Sequence, residues 1–289
     1  MATTREIKHR MASITATQQI TQAMKMVSVA KLHRVQYSLQ QVNTYAEKLH
    51  SLLQQAIAAT ERPLPKLYTE ERPVQRLLLV VIAADKGLCG SFSNHILRKV
   101  RTHIRECQQR FSQMADIHLL AIGKKAAQGL ERSTHRCITD YVSLSRQPSL
   151  SSASAAANYM MEAFGAHRYD RIDLIYNQFL SVARQSLQVV PFLPMPPITG
   201  AGAIDYIYEP TADKLITAML PHVLQVRLYK TLLSSQAAEH AARMTTMGKA
   251  TDNAEELLKS LRLTYNRSRQ TSITNEIAEI IGGSSLLHA

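Results

Sequence analysis

The chain has 289 residues, 45% of them hydrophobic, which is enough apolar material for a folded core and excludes a wholly disordered protein. Its 34 Lys and Arg against 22 Asp and Glu give a formal charge of +12, so we expect an acidic partner: nucleic acid, lipid headgroups or an acidic protein. Three cysteines without CxxC spacing argue against a secreted disulfide framework or a zinc site, and the longest apolar run is too short to span a membrane.

The first sixty residues predict one long helix. They contain no glycine or proline, and Thr3 and Glu6 have the spacing of a capping box. Apolar residues recur in steps of three and four, with one slip in register, at Ile7, Met11, Ile14, Ile20, Met24 and Val27, and then at Val35, Leu39, Val42, Ala46, Leu49, Leu53 and Ala56. This pattern is typical of a coiled-coil helix, here over residues 1–62, roughly 80–90 Å long. Its start shows no apolar signal segment, so we expect no secretion.

The pattern changes at Pro63, and residues 63–200 predict an α/β domain. Expected strands are 77–84, 117–122, 135–141 and 171–180, and expected helices are 94–110, 124–131 and 149–164. Strands that alternate with helices indicate a mostly parallel, Rossmann-like sheet. A last strand, 185–192, follows the previous one so closely that we expect it to run antiparallel.

Residues 201–289 return to a helical pattern. The expected seam is Leu233, Ala237, His240, Met244, Met247, Thr251, Ala254, Leu258, Leu261, Tyr265 and Ser268. Pro221 predicts a kink or a fresh helix start, and Gly248 costs about 1 kcal/mol relative to alanine in a helix interior. The simplest architecture is a central α/β domain flanked by two long terminal helices that form an antiparallel coiled coil.

Three blocks of sequence resemble the gamma subunits of F-type ATP synthases. They are QQITQAMKMV at residues 18–27, DKGLCG at 85–90 and ITNE at 273–276, and they occur in the family's order. Shorter matches lie at 239–244, 250–254 and 265–267. The sequence departs from the family pattern at Gln19 and Gln22, where lysines are usual, and at Ser91, Gly248 and Gly283. These departures fit a divergent branch of the family.

The resemblance implies a central-stalk rotor that transmits torque and has no active site, cofactor or metal of its own. Its implied partners are the alpha and beta subunits of the catalytic ring, the epsilon subunit and the membrane c-ring. Its implied location is peripheral, at the cytoplasmic face of the bacterial inner membrane, without a membrane span.

The resemblance also implies which residues contact these partners. Residues that match family positions facing the alpha and beta ring are Met24, Lys25, Arg243, Arg269, Gln270, Thr274, Glu276, Ile280 and Ile281. Tyr208 and Glu209 match the foot of the stalk, which faces the epsilon subunit and the c-ring. Ile277, Leu286 and Leu287 add apolar surface at the tip. From the residues alone, Met24 and the isoleucines fit a coiled-coil seam equally well, and Arg269 fits a solvated helix face.

Two other classes of protein remain open. A nucleic-acid-binding helical protein would explain the charge, but the basic residues are spread out, with eight Lys and Arg against three acids in the first 62 residues. A small α/β enzyme would need a catalytic constellation. The glycine turn at 85–90 lacks a phosphate-loop motif, no histidine pair has metal-ligand spacing, and no residues near Cys89 would activate it as a nucleophile.

Overall fold

The computed structural model describes residues 4–60, 66–111, 116–196, 208–209 and 211–287. Its helices are α1 (Thr4–Ala58), α2 (Lys66–Thr69), α3 (Phe92–Arg110), α4 (Lys124–Leu130), α5 (Leu150–Gly165) and α6 (Ala212–Leu287). Its strands are β1 (Arg76–Ile82), β2 (Asp116–Ile122), β3 (Cys137–Ile138), β4 (Arg171–Phe179) and β5 (Gln185–Leu193). The chain forms two compact units, one of residues 1–29 with 243–289 and one of residues 30–242.

The larger unit contains a five-stranded sheet in the order β3-β2-β1-β4-β5. The strands β1, β2, β3 and β4 pair in parallel, and β5 pairs antiparallel to β4. The predicted mostly parallel α/β sheet is confirmed. The strand expected at 135–141 is much shorter, because only Cys137 and Ile138 pair with β2 before the chain turns at Tyr141 into a 3-10 turn.

The central strand β1 explains why the sequence has one continuous apolar run. All of its residues from Leu77 to Ile82 are buried, since helices cover both faces of a parallel sheet. Leu78, Val80 and Ile82 pack with α5 and with the parts of α1 and α6 that lie in the larger unit. The alternate residues of β1 pack with α3 and α4 on the other face.

Gly123 makes a tight turn between β2 and α4. Its backbone has a φ of 100°, and its N–H donates to the carbonyl of Val142 at 3.0 Å. A side-chain carbon at this position would collide with the carbonyl oxygen of Ala83 and lie 2.9 Å from its carbonyl carbon. The end of β2 therefore approaches the chain after β1 more closely than any residue with a Cβ allows.

The two terminal helices run antiparallel in the smaller unit. The hydroxyls of Thr21 and Thr251 lie 2.9 Å apart, and those of Thr4 and Ser268 lie 3.4 Å apart. From Thr4 to Thr21 the chain advances seventeen residues along α1, while the partner residue on α6 moves back seventeen, from Ser268 to Thr251. This geometry confirms the predicted antiparallel pairing of the terminal helices.

The burial of α1 corrects part of its predicted seam. Ile20 and Val27, which the apolar pattern places in the seam, are 59% and 55% exposed. Gln18 is half-buried, and Thr21 and Ser28 are buried. The heptad repeat therefore continues through this part of α1 without the predicted slip in register. Polar side chains occupy the seam positions at which the sequence has no apolar residue.

In α6, Thr251, Ala254, Leu258, Leu261, Tyr265 and Ser268 are each buried or half-buried, as the predicted seam requires. Pro221 does not begin a new helix, because α6 is continuous from Ala212. Leu220 and Leu224, on either side of this proline, are fully buried in the core of the larger unit, and their packing favours a continuous helix.

The terminal helices also meet within the larger unit. The hydroxyl of Tyr45 lies 2.8 Å from Nε2 of His222, and their rings stack edge to face. Leu53 and Ala56 of α1 are fully buried in the same core cluster as Leu228 of α6. These ends of the two helices are thus part of the domain's own core.

Candidate partner-binding surface

Lys25 and Gly248 lie together in the smaller unit. Lys25 is exposed, and its Nζ, Cε and Cδ atoms lie 3.6–3.9 Å from the point where a Cβ on Gly248 would stand. The side chain of Lys25 therefore packs over the backbone of α6 at the buried Gly248, where no side chain intervenes. Met24, beside it in sequence, is half-buried on the seam side of α1.

This contact leads to a stability prediction for Gly248→Ala. An added Cβ would meet only a flexible lysine side chain at ordinary van der Waals distance, while the alanine removes the helix penalty of glycine. We expect local stabilisation of α6 by about 1 kcal/mol, measured as slower amide hydrogen exchange across residues 244–252. Gly248→Leu is the matched control, because its larger side chain must displace Lys25. Faster exchange in the alanine variant would contradict the predicted fit.

The predicted contact residues of α6 fall into two groups. Arg243 is only 8% exposed, so it offers little free surface in the isolated chain. Arg269, Gln270, Thr274 and Glu276 are all exposed. The Thr274 hydroxyl donates to the carbonyl of Gln270 in its own helix at 2.9 Å.

The end of α6 carries a face of exposed isoleucines, called here the isoleucine face: Ile273, Ile277, Ile280 and Ile281, exposed by 42%, 52%, 70% and 63%. Their spacing of four, three and one places them on one side of a helix. They lie C-terminal to Ser268, whose hydroxyl is 3.4 Å from that of Thr4 at the start of α1. The surroundings of Gly283 and the side chains of Leu286 and Leu287 lie outside the described part of the chain.

The two residues predicted at the foot of the stalk differ in environment. Tyr208 is half-buried and packs against the core of the larger unit, whereas Glu209 is exposed. Residues 197–207 and 210 lie outside the described part, so the surroundings of this pair are only partly defined.

The turn at 85–90 presents an unusual residue that the sequence alone does not single out. Leu88 has a φ of 62° and is 60% exposed, although bulky residues rarely adopt this backbone conformation. Cys89 is buried in the core on the α3 side of the sheet. The glycine turn thus presents the leucine to solvent and keeps the cysteine thiol inside the domain.

The structure also brings together a polar cluster that sequence reasoning missed. Nε2 of His103 lies 3.1 Å from Oδ2 of Asp173 and 3.4 Å from Sγ of Cys107. The hydrogen bond with the buried Asp173 carboxylate is the main cause that raises the pKa of His103 to about 10. The four-residue spacing of His103 and Cys107 on one helix was the visible signal, but Asp173 lies far away in sequence.

Comparison with known proteins identifies the family. The family model described as ATP synthase matches residues 3–287. The gamma chain of Amoebophilus asiaticus is 47% identical over 99% of both chains, and that of Cytophaga hutchinsonii is 42% identical over the full length of both. The chain belongs to the ATP synthase gamma chain family.

Solved structures agree with this gamma chain in fold. A chain from the central stalk and c-ring of the Tetrahymena thermophila mitochondrial ATP synthase is 24% identical, with a TM-score of 0.57 over 80% of this chain and 99% of that one. A chain of the Euglena gracilis mitochondrial ATP synthase is 18% identical, with a TM-score of 0.59 over 99% of this chain and 95% of that one.

Membership in the family defines the role of the chain at the level of the complex. As a gamma chain, it is a non-catalytic subunit of the central stalk in an F-type rotary ATP synthase. Among the residues that the structure describes, no helix is both long and apolar enough to cross a bilayer.

Proposed function

We propose that this gamma chain transmits torque by turning the end of α6 inside an apolar sleeve formed by the alpha and beta subunits. The isoleucine face carries this proposal. Exposed isoleucines on one side of a helix end, C-terminal to the contact of Ser268 with Thr4, are costly in water and favourable in an apolar bearing.

The polar residues near the tip support a second contact with the same ring. Arg269, Gln270, Thr274 and Glu276 are exposed, so they are accessible to partner side chains as the family resemblance implies. Lys25 is exposed too, and its ammonium group is suited to an acidic loop of the beta subunit. Arg243 is mostly buried, so a contact with the ring requires its side chain to turn outward.

At the other end, we place the epsilon subunit and the membrane c-ring against the region of Tyr208 and Glu209. The Tetrahymena structure combines a central stalk with a c-ring, which supports this arrangement by analogy. The protein would then lie at the cytoplasmic face of the bacterial inner membrane. In this proposal, residues 1–62 and 201–289 form the shaft, and residues 63–200 form the domain near its foot.

Co-expression with the cognate alpha and beta subunits tests the proposal. We expect a purified complex that contains one copy of this chain and whose ATPase rate is higher than that of alpha and beta expressed without it. The matched control is a chain that ends at residue 268, which keeps the contact between Thr4 and Ser268 and lacks the tip. Failure of the full-length chain to bind alpha and beta would overturn the proposal.

A further inference from the structure

Three side chains with metal-ligating atoms converge in the larger unit between α3 and β4. They are His103 and Cys107, one turn apart on α3, and Asp173 on β4. One donor atom from each lies within 4.8 Å of the other two. Asp173 has no exposed surface and Cys107 is 4% exposed, so the cluster is an inner part of the domain.

A single nitrogen, Nε2 of His103, faces both of the other groups. It lies 3.1 Å from the carboxylate of Asp173 and 3.4 Å from the sulfur of Cys107. One N–H points in one direction and satisfies one acceptor well, whereas a cation at the centre bonds all three atoms at once. In the structure, Nε2 of His103 makes a hydrogen bond with Asp173 and a longer one with Cys107, and a cation that replaces the proton between these groups would face the same donor atoms.

The distances fit a tetrahedral zinc ion. Bonds of about 2.0–2.3 Å from Zn²⁺ to N, O and S ligands place neighbouring ligand atoms about 3.3–3.8 Å apart. The separations of 3.1 Å and 3.4 Å need only small shifts to reach these values, and Sγ of Cys107 and the Asp173 carboxylate, which lie within 4.8 Å, must stand about 3.6 Å apart when the ion is bound. The His103 side chain is 13% exposed, so the cluster lies close to the protein surface, and the fourth ligand of a tetrahedral ion would be a water molecule.

The surrounding groups match those that hold metal ligands in place. The other nitrogen of His103, Nδ1, lies 3.4 Å from Oε2 of Glu106, and a carboxylate at this position fixes the ring of a metal-bound histidine. Nε of Arg171 donates to both oxygens of Asp173, at 2.9 Å and 3.1 Å, and so orients that carboxylate. A thiolate and a carboxylate together would balance the charge of a divalent ion.

We propose that His103, Cys107 and Asp173 bind one divalent transition-metal ion, with Zn²⁺ preferred, and that the ion joins the C-terminal half of α3 to β4. This site differs from the partner-binding surface on the terminal helices and does not depend on the torque function. It also departs from the sequence-based expectation that the chain has no metal site.

Metal titration of the full-length, chelator-treated chain tests the proposal. We expect one equivalent of Co²⁺ to produce the intense absorption of a thiolate bound to cobalt, and one equivalent of Zn²⁺ to displace it. Zn²⁺ should also raise the thermal midpoint of the chain, and a chelator should reverse this shift. Cys107→Ser should abolish the absorption, whereas Cys137→Ser, a half-buried cysteine outside the cluster, should leave it unchanged.

A second variant keeps the test decisive if Cys107→Ser fails to fold. Glu106 is exposed and contacts only the outer nitrogen of His103 in the cluster, so Glu106→Gln should fold normally and weaken Zn²⁺ binding by about tenfold or more. Binding of Zn²⁺ with no thiolate absorption from Co²⁺, equal binding by Cys107→Ser, or no shift in the thermal midpoint would each overturn the proposal.

Discussion

Replacing Gly123 with alanine is expected to lower the free energy of unfolding of the larger unit by about 3 kcal/mol or more. The added Cβ would collide with the backbone of Ala83 and would also require an alanine at a φ of 100°. Backbone atoms at the end of the central strand have no rotamer to change, so relief requires β1 and β2 to move apart. Urea unfolding followed by circular dichroism measures the loss directly.

Gly87→Ala is the matched control for this experiment. It lies in the turn after β1, and the nearest side-chain atom to its added Cβ would be Cε of Lys125 at 3.9 Å. We expect its unfolding midpoint to stay close to that of the unmodified chain. If the free energy of unfolding of Gly123→Ala equalled that of Gly87→Ala, the result would contradict the close approach between the end of β2 and the chain after β1.

The double substitution Ile280→Lys with Ile281→Lys is expected to reduce ATP-driven ion pumping by the assembled complex at least about tenfold. Transfer of an unpaired charge into an apolar contact costs several kcal/mol, and each 1.4 kcal/mol changes an equilibrium tenfold. The same change should alter the stability of the free chain by less than about 0.5 kcal/mol, because both isoleucines are exposed there. Pumping into membrane vesicles and unfolding of the free chain give the two measurements.

The matched control for the tip is Ile280→Leu with Ile281→Leu, which keeps an apolar surface of similar volume. Its pumping should remain near that of the unmodified complex. Equal pumping by the lysine and leucine variants would show that the end of α6 does not turn in an apolar sleeve. A large loss of stability in the free lysine variant would instead contradict the exposure of these residues.

The sequence predicts the sheet well because its signals there are local. The β-prone apolar run at Leu77–Ile82 is typical of a strand covered on both faces, and the glycines and polar residues between elements mark their ends. The seam of α6 from Thr251 to Ser268 is also predicted residue by residue. A regular spacing of residues along one helix needs no knowledge of its partner.

The seam of α1 is harder to predict because polar residues occupy it. Thr21 and Ser28 lie at buried positions, while the nearby Ile20 and Val27 are exposed, so hydrophobicity points to the wrong side of the helix. The correct positions follow only from the partner helix, where the Thr21 hydroxyl meets that of Thr251. In the proposed complex, the apolar residues on the outer side of α1 would face the surrounding ring of subunits.

The polar cluster was not predicted because it depends on the topology of the sheet. His103 and Cys107 are close in sequence, but Asp173 lies on β4, which reaches them only because β4 inserts beside β1 on the side opposite β2. Strand order of this kind follows from long-range packing. The spacing of residues within one segment of the sequence does not indicate which strands become neighbours in the sheet.

The hydroxyl pair of Thr21 and Thr251 has a mechanical consequence for a shaft made of two helices. Sliding α1 along α6 by one heptad would place Thr21 opposite Leu258 or Met244 and leave its hydroxyl without that partner, at a cost of about 1 kcal/mol. A seam made only of leucines would pack almost equally well before and after a shift by one heptad. The threonines thus favour one register by that amount, and they oppose slippage between the two helices when the pair is under load.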